Sequence, residues 1–346
     1  MPAYRAAQVL EWVYRHGVTD PAQMTNLGKA DQRTLAERLS FIRGGVLGHQ
    51  RATDGTQKLL VDWSLSGEID ARAGALPVLG DKASQTECVM IPADEAKPRR
   101  TACISSQVGC PVGCKFCASG LGGLDGNLTA GQIVQQVWQL GQLEGVGRIS
   151  HVVFMGMGEP LSNFGEVTRA VRTITADWGL GISGRRITVS TVGLPAQIRR
   201  LAELDIPITL AVSLHAPNDA LRRQLIPWAE SVTIQQLIDA GRFYFDKSGR
   251  EVTLEYILLG QVNDRPEHAR ELAQVAKKLR SNINLIRYNE VAGLPFARPT
   301  DNDVLAFQQT LRSAGVNTHI RASRGRDIAA ACGQLRHEHR GPAVSG

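Results

Sequence analysis

The sequence predicts an α/β fold: a partial barrel of six or so βα units, preceded by a small helical domain and a short β-rich connecting segment. From residue 101 onward, short apolar and β-branched segments alternate with stretches at helical spacing. That is the pattern of parallel strands buried on both faces by crossover helices. Before residue 101 the alternation is absent. Helical periodicity runs to about residue 45 and gives way to short strand-like segments. Six units are too few for a closed eight-stranded barrel, and the pattern alone leaves a doubly wound sheet open.

Val9, Leu10 and Val13 recur at helical spacing, Asp20-Pro21 starts a second short helix, and Gln32 to Phe41 form a third. Residues 1–45 therefore read as an N-terminal helical accessory domain. Residues 46–100 read as strands, including Leu59-Leu60-Val61, with turns at Asp54-Gly55 and Gly67-Glu68 and a polar loop over 93–100. In the core, 101–340, strands are expected near 102–106, 151–155, 187–190, 209–214, 252–259, 284–287 and 318–321. Helices are expected near 129–143, 164–177, 196–204, 233–245, 266–280, 302–313 and 327–335.

A hydrophobic content of 43% and a charged content of 21% are ordinary for a soluble globular protein. No apolar run is long enough to span a bilayer, and Met1-Pro-Ala-Tyr-Arg5 does not open a signal peptide. Four of the six cysteines crowd between Cys103 and Cys117, a poor layout for a disulfide framework and a good one for chemistry. A reducing cytoplasm is the expected location, with no membrane partner. The net charge of +6 arrives in clusters such as Lys97-Pro-Arg99-Arg100, Arg185-Arg186, Arg199-Arg200, Arg222-Arg223, Lys277-Lys278 and Arg321-Ala-Ser-Arg324-Gly-Arg326. Phosphate backbones reward such clusters through counterion release, although paired basic residues commonly just solvate a helix face.

In both architectures, active sites collect at the carboxyl ends of strands. That rule brings five segments to one mouth: the cysteine loop, Met155-Gly156-Met157-Gly158-Glu159-Pro160, Ser190-Thr-Val-Gly193, Ser213-Leu-His215 and Arg287-Tyr-Asn289. The cysteine loop is Cys110-Pro-Val-Gly-Cys114-Lys-Phe-Cys117. Its three closely spaced thiolates suit a soft metal centre, and they can hold three irons of a 4Fe-4S cluster while leaving the fourth open to a substrate. A Cys3His zinc site is the alternative, but the nearest histidine in sequence, His151, is far down the chain. Gly156 and Gly158 can let the backbone approach a ligand closely, with the Glu159 carboxylate beside them. An amino group held there, next to an open iron, fits the amino-acid end of S-adenosyl-L-methionine (SAM).

Five segments together, Cys103-Ile-Ser-Ser-Gln-Val-Gly-Cys110, Asn127-Leu-Thr, Phe154-Met-Gly-Met-Gly-Glu-Pro160, Ser213-Leu-His215 and Ala331-Cys332-Gly-Gln-Leu335, resemble the radical-SAM adenine methyltransferases of RNA, the RlmN/Cfr family. The resemblance runs from about Tyr4 to Leu335 and implies a partial (βα)6 radical-SAM barrel behind a helical RNA-binding domain. By the same resemblance Cys110, Cys114 and Cys117 match the cluster ligands, and Gly158, Glu159, Ser190, Ser213, His215 and Asn289 match SAM contacts. Cys332 matches a cysteine that is itself methylated, Cys103 a second redox cysteine, and Glu87 a carboxylate treated as a general base. Cys88 matches no such role and reads as structural.

The implied reaction is methylation of C2 of a specific adenine in 23S rRNA at the peptidyl transferase centre, with an adenine in tRNA as a further candidate substrate. C2 is an electron-poor ring carbon, so polar transfer from SAM cannot methylate it, and a radical cofactor must carry the step. Two SAM molecules per turnover are implied. One methylates Cys332; the other, cleaved by the reduced cluster, yields a radical that takes a hydrogen from the Cys332 methyl group. The carbon radical adds to adenine; after electron loss and deprotonation at the ring carbon, Cys103 attacks the Cys332 sulfur, releasing the methylated RNA and leaving a disulfide for external reduction. An external electron donor such as flavodoxin or ferredoxin is also implied. The motifs do not separate this reaction from the C8-methylating Cfr-type branch. A zinc-stabilised RNA-binding protein is the non-enzymatic alternative.

Overall fold

The structure, a computed structural model, describes residues 4–64, 84–93 and 99–335. Helices α1 (Tyr4–Tyr14) and α2 (Lys29–Arg38) flank a 3-10 turn at Pro21–Gln23. Asp20 starts that turn, accepting the Ala22 N–H at 2.9 Å, and Pro21 sets its backbone. Val9, Val13, Met24, Leu27 and Leu35 close a small core of their own.

Strands β1 (Gly45–Arg51), β2 (Gln57–Asp62), β3 (Gln85–Pro92) and β4 (Arg100–Cys103) pair antiparallel in that order. The Asp54-Gly55 turn joins β1 to β2, with Gly55 at φ +80° and the Asp54 carboxylate accepting the Thr56 N–H at 3.0 Å. The turn expected at Gly67-Glu68 and part of the polar loop before β4 lie outside the described residues.

After β4 come a two-stranded hairpin, β5 (Gln107–Gly109) with β6 (Leu124–Asn127), and helix α3 (Ala130–Gly141). Then strand and helix alternate: β7 (His151–Phe154), α4 (Phe164–Thr175), β8 (Ile187–Thr191), α5 (Pro195–Ala202) and β9 (Thr209–Ser213). Two helices follow, α6 (Asp219–Leu225) and α7 (Ile234–Ser248), and then β10 (Val252–Leu258), α8 (Pro266–Ala276), β11 (Ser281–Arg287), α9 (Asp301–Ser313) and β12 (Thr318–Arg321). The main sheet has ten strands in the order β1-β2-β3-β4-β7-β8-β9-β10-β11-β12, and every pairing from β4 to β12 is parallel.

The parallel strands are apolar runs buried on both faces. All seven residues of β10 are buried, and the core cluster joins them to the inward stripes of α3, α4, α5, α7, α8 and α9. Among the described residues no helix is long and apolar enough to cross a membrane.

Two expected elements differ. The strand expected over 102–106 ends at Cys103, and the chain then leaves the sheet to build the β5–β6 hairpin. The helix expected over 327–335 is a single 3-10 turn, Arg326–Ile328. Left-handed backbone at Gly325, Ala329 and Gly333 stops it from propagating, so Cys332 sits on a loop.

Candidate active site

The cysteine loop leaves β5 through Gly109, at φ +74°, where a Cβ would sit 2.1 Å from the Gly123 carbonyl oxygen. Only glycine allows this exit. The Cys110 N–H donates to that same carbonyl at 2.7 Å, and the Cys117 N–H to the Cys114 carbonyl at 3.1 Å. Cys110, Cys114 and Cys117 line one cavity. Burial pushes the Cys110 thiol up to about 12 and raises those of Cys114 and Cys117, so binding a metal centre would displace their protons. Among the described residues no three His, Cys, Asp or Glu side chains converge as a single ion needs. A 4Fe-4S cluster makes a different demand, since its three thiolates bind three separate irons, and the soft all-sulfur donor set fits it.

Gly158, Glu159, Ser190, Ser213 and His215 line the same cavity. Gly158 stands at φ +101°, where a Cβ would lie 2.7 Å from the Gln107 side chain. The Glu159 carboxylate accepts the Leu161 N–H at 2.9 Å on one oxygen and the Val192 N–H at 2.8 Å on the other. Burial pushes it up to about 7. The Thr191 side chain hydrogen-bonds it as well, which leaves one lone-pair site for an incoming cation. The Ser190 and Ser213 hydroxyls lie 3.3 Å apart. His215, at φ +57°, accepts the Ile257 N–H on Nδ1 at 3.1 Å, which leaves Nε2 as its donor. Burial and, behind it, the charge of Arg222 push its pKa down to about 3, so the ring is neutral.

An adjoining cavity holds the other two cysteines. Cys103, at the end of β4, and Cys332 both line it, and Cys332 lines the first cavity as well. The loop bearing Cys332 is stitched to the cysteine loop: the Ala118 N–H donates to the Gly333 carbonyl at 2.8 Å, and Ser119 Oγ to the Leu335 carbonyl at 2.7 Å. Burial pushes the Cys103 thiol up to about 12; the Cys332 thiol is pushed up to about 11 by the desolvation of its pocket, although the residue as a whole is exposed. All six cysteines are free, so the expected disulfide has no support in this structure; protonated thiols are the form that this burial favours.

Asn289 stands in this second cavity rather than the first, and its Nδ2 donates to the Cys332 carbonyl at 3.3 Å. Glu87, in β3, lines neither cavity. Its carboxylate is 2.7 Å from Lys58 Nζ, and Lys58 in turn donates to the Ala329 carbonyl, three residues before Cys332, at 3.4 Å. Cys88 is fully buried among apolar neighbours, and its thiol is pushed up by burial.

Two residues that local sequence does not single out join the site. Arg321, which reads as part of a basic cluster, lines both cavities and pairs with buried Glu255 at 3.3 Å. Glu255, and after it the thiols of Cys332 and Cys103, favour its charged form, and its field opposes the rise of both thiols. Strand alternation across β10 could have indicated Glu255, a carboxylate inside an otherwise apolar strand. The remaining clusters divide. Arg199 and Arg200 stack on Phe243 and Phe164 at 4.8 and 4.3 Å, while Arg185, Arg186, Lys277 and Lys278 are exposed.

Residues 104–273 match the family model of the Radical SAM superfamily, and residues 2–41 match that of the Ribosomal RNA large subunit methyltransferase N-terminal domain. A probable dual-specificity RNA methyltransferase RlmN of Rhodopirellula baltica is 44% identical, covering 96% of this chain and 85% of its own. Another so named, from Thermosynechococcus vestitus, is 45% identical, covering 97% of this chain and 92% of its own. The crystal structure of a radical SAM methyltransferase from Sphaerobacter thermophilus superposes with a TM-score of 0.89 at 40% identity, over 98% of this chain and 94% of that one.

Proposed function

Because the chain belongs to the RlmN family of radical SAM RNA methyltransferases, we propose that it methylates C2 of a specific adenine in 23S rRNA, and an adenine in tRNA, through a covalent protein–RNA intermediate. The observation that carries this is the pair Cys103 and Cys332, which share one cavity while Cys332 also opens onto the cavity of the three cluster cysteines. One side chain can therefore face the methyl source and its resolving partner.

Cys110, Cys114 and Cys117 would hold a 4Fe-4S cluster, and Glu159, Gly158, Ser190, Ser213 and His215 would hold SAM. When bound, these groups supply the one-electron chemistry that an electron-poor ring carbon requires. Cys332 sulfur would take a methyl group by displacement; that carbon would give up one hydrogen atom and bond to the adenine ring carbon, which would then lose one electron and its own hydrogen as a proton. Asn289 steadies the Cys332 backbone through its carbonyl. Glu87 is the proton acceptor of this reading, and Lys58, 2.7 Å away, is its ion-pair partner. Cys103 then attacks the Cys332 sulfur, which releases the methylated base and leaves the two sulfurs joined until an external dithiol separates them. Arg321 favours the thiolate that makes this attack. The N-terminal helices and exposed basic residues would grip the RNA, and the target base must leave its stack to reach a ring-carbon chemistry. The electron comes from an external donor of the flavodoxin or ferredoxin kind, and the cytoplasm is the compartment of this reading.

The two cysteines act at different stages, which gives the test. With SAM, reductant and a 23S rRNA fragment, the Cys103→Ala protein is expected to accumulate a slow-migrating protein–RNA species that nuclease collapses. The Cys332→Ala protein is expected to form none. Absence of a cross-link in both variants, with RNA binding intact, would contradict the covalent route.

A further inference from the structure

Arg222, in α6, is 1% exposed and heads the fully buried side chains of the described protein by size. Its guanidinium donates to three backbone carbonyls: Leu214 at 3.2 Å, Val232 at 3.2 Å, and Val192. It thereby ties the turn after β8 to the turn after β9 and to the approach to α7. Carbonyl dipoles satisfy its protons but do not neutralise its charge. Among the described residues no carboxylate lies within ion-pair distance of it. A buried charge without a counter-charge is costly, so a partner is called for.

The cysteine loop is the candidate, because it packs against the end of the same helix. The loop docks on the same helix, where the Lys115 N–H donates to the Leu225 carbonyl at 3.0 Å, and Val112, Phe116, Leu225 and Ile226 pack into one cluster against Cys114. Burial pushes the Arg222 pKa down to about 10 against the opposing fields of Cys114 first and Asp219 second. Asp219 is already engaged by the Ile234 N–H at 2.7 Å.

We infer that Arg222 is the built-in counter-charge of the three-cysteine centre and holds the reduction potential of its cluster above the value the thiolates alone would set. The inference rests on the cluster assignment made above. Three thiolates make such a centre anionic, and reduction adds one electron from the external donor with no proton or leaving group involved. A fixed positive charge in a low-dielectric setting favours the more negative, reduced state. Tying the loops is a separate, structural consequence of the same side chain.

The test is the midpoint potential of the anaerobically reconstituted full chain, read by EPR-monitored redox titration without SAM or RNA. Arg222→Lys keeps the charge and is expected to titrate near the wild type. Arg222→Gln is expected to shift to more negative potential at equal iron and sulfide content, and Asp219→Asn, which removes an opposing charge, to more positive potential. An Arg222→Gln protein with full iron content and an unmoved potential would overturn the inference. Should that variant fail to fold, Arg222→Met, equally uncharged, decides it by the same reading. Failure of the wild type to assemble a 4Fe-4S cluster would instead sink the cluster assignment, leaving a different signature.

Discussion

Glu159 spends both carboxylate oxygens on backbone N–H groups, yet lines the cavity assigned to SAM. It therefore fixes two turns, at Leu161 and Val192, and its charged form, which burial disfavours, is the one that an incoming cation would favour. Removing the whole side chain confuses these roles, because two buried N–H groups would lose their acceptor. Glu159→Gln discards the charge while keeping one of the two acceptors, so it disturbs one turn where alanine disturbs both. Its expected outcome is a loss of SAM affinity by about tenfold to a hundredfold, since a hydrogen bond to a charged group is worth about 1.5–3 kcal/mol. Calorimetric titration at matched iron content checks this, and unchanged affinity would remove Glu159 from the SAM site. His215 shows the same economy. The ring is neutral, one nitrogen is fixed by the Ile257 N–H, and only the other is left for a ligand.

The loop carrying Cys332 is the element on which the proposed cycle turns, and it is held by the turn between β1 and β2. The Thr53 N–H donates to Asp327 at 2.9 Å and the Gly325 N–H to Asp54 at 3.0 Å, so the two carboxylates latch turn and loop reciprocally. Gly325 sits where a Cβ would be 2.8 Å from Thr56. Replacing both Asp54 and Asp327 by Asn weakens the latch without touching either cavity. Cys332 is then expected to react severalfold faster with a bulky thiol reagent while the melting temperature stays put; equal alkylation rates would mean that the latch does not hold the loop. This loop was not legible in the sequence, because Ala330-Ala331-Cys332 has good helix propensity and only tertiary contacts impose left-handed backbone on Ala329. The parallel strands were legible, because each is a short apolar run bounded by turn residues. The β5–β6 hairpin was not, its strands being too short to show a period. The cysteine loop and the Gly158-Glu159 turn carry their signal in local spacing. Arg222 and Arg321 do not: each sits in a basic cluster, and nothing local says which arginine turns inward.

Across the whole molecule, the sheet running from the β1–β2 hairpin to β12 makes one frame for two cavities that meet at Cys332 and Arg321. Antiparallel β1 to β4 carry Glu87 and the turn half of the latch, the β5–β6 hairpin carries the cysteine loop, and the turns after the parallel strands carry the residues assigned to SAM. A substrate served by this arrangement must reach both at once, as a base lifted out of a folded RNA can. Regiochemistry decides the account most directly. Unmodified 23S rRNA is incubated with the reconstituted protein, a reductant and SAM bearing an isotopically labelled methyl group, and its nucleosides are separated by liquid chromatography and mass spectrometry. The expected product is labelled 2-methyladenosine at a single adenine; labelled 8-methyladenosine, or no labelled adenosine from a cluster-loaded protein, would contradict the account.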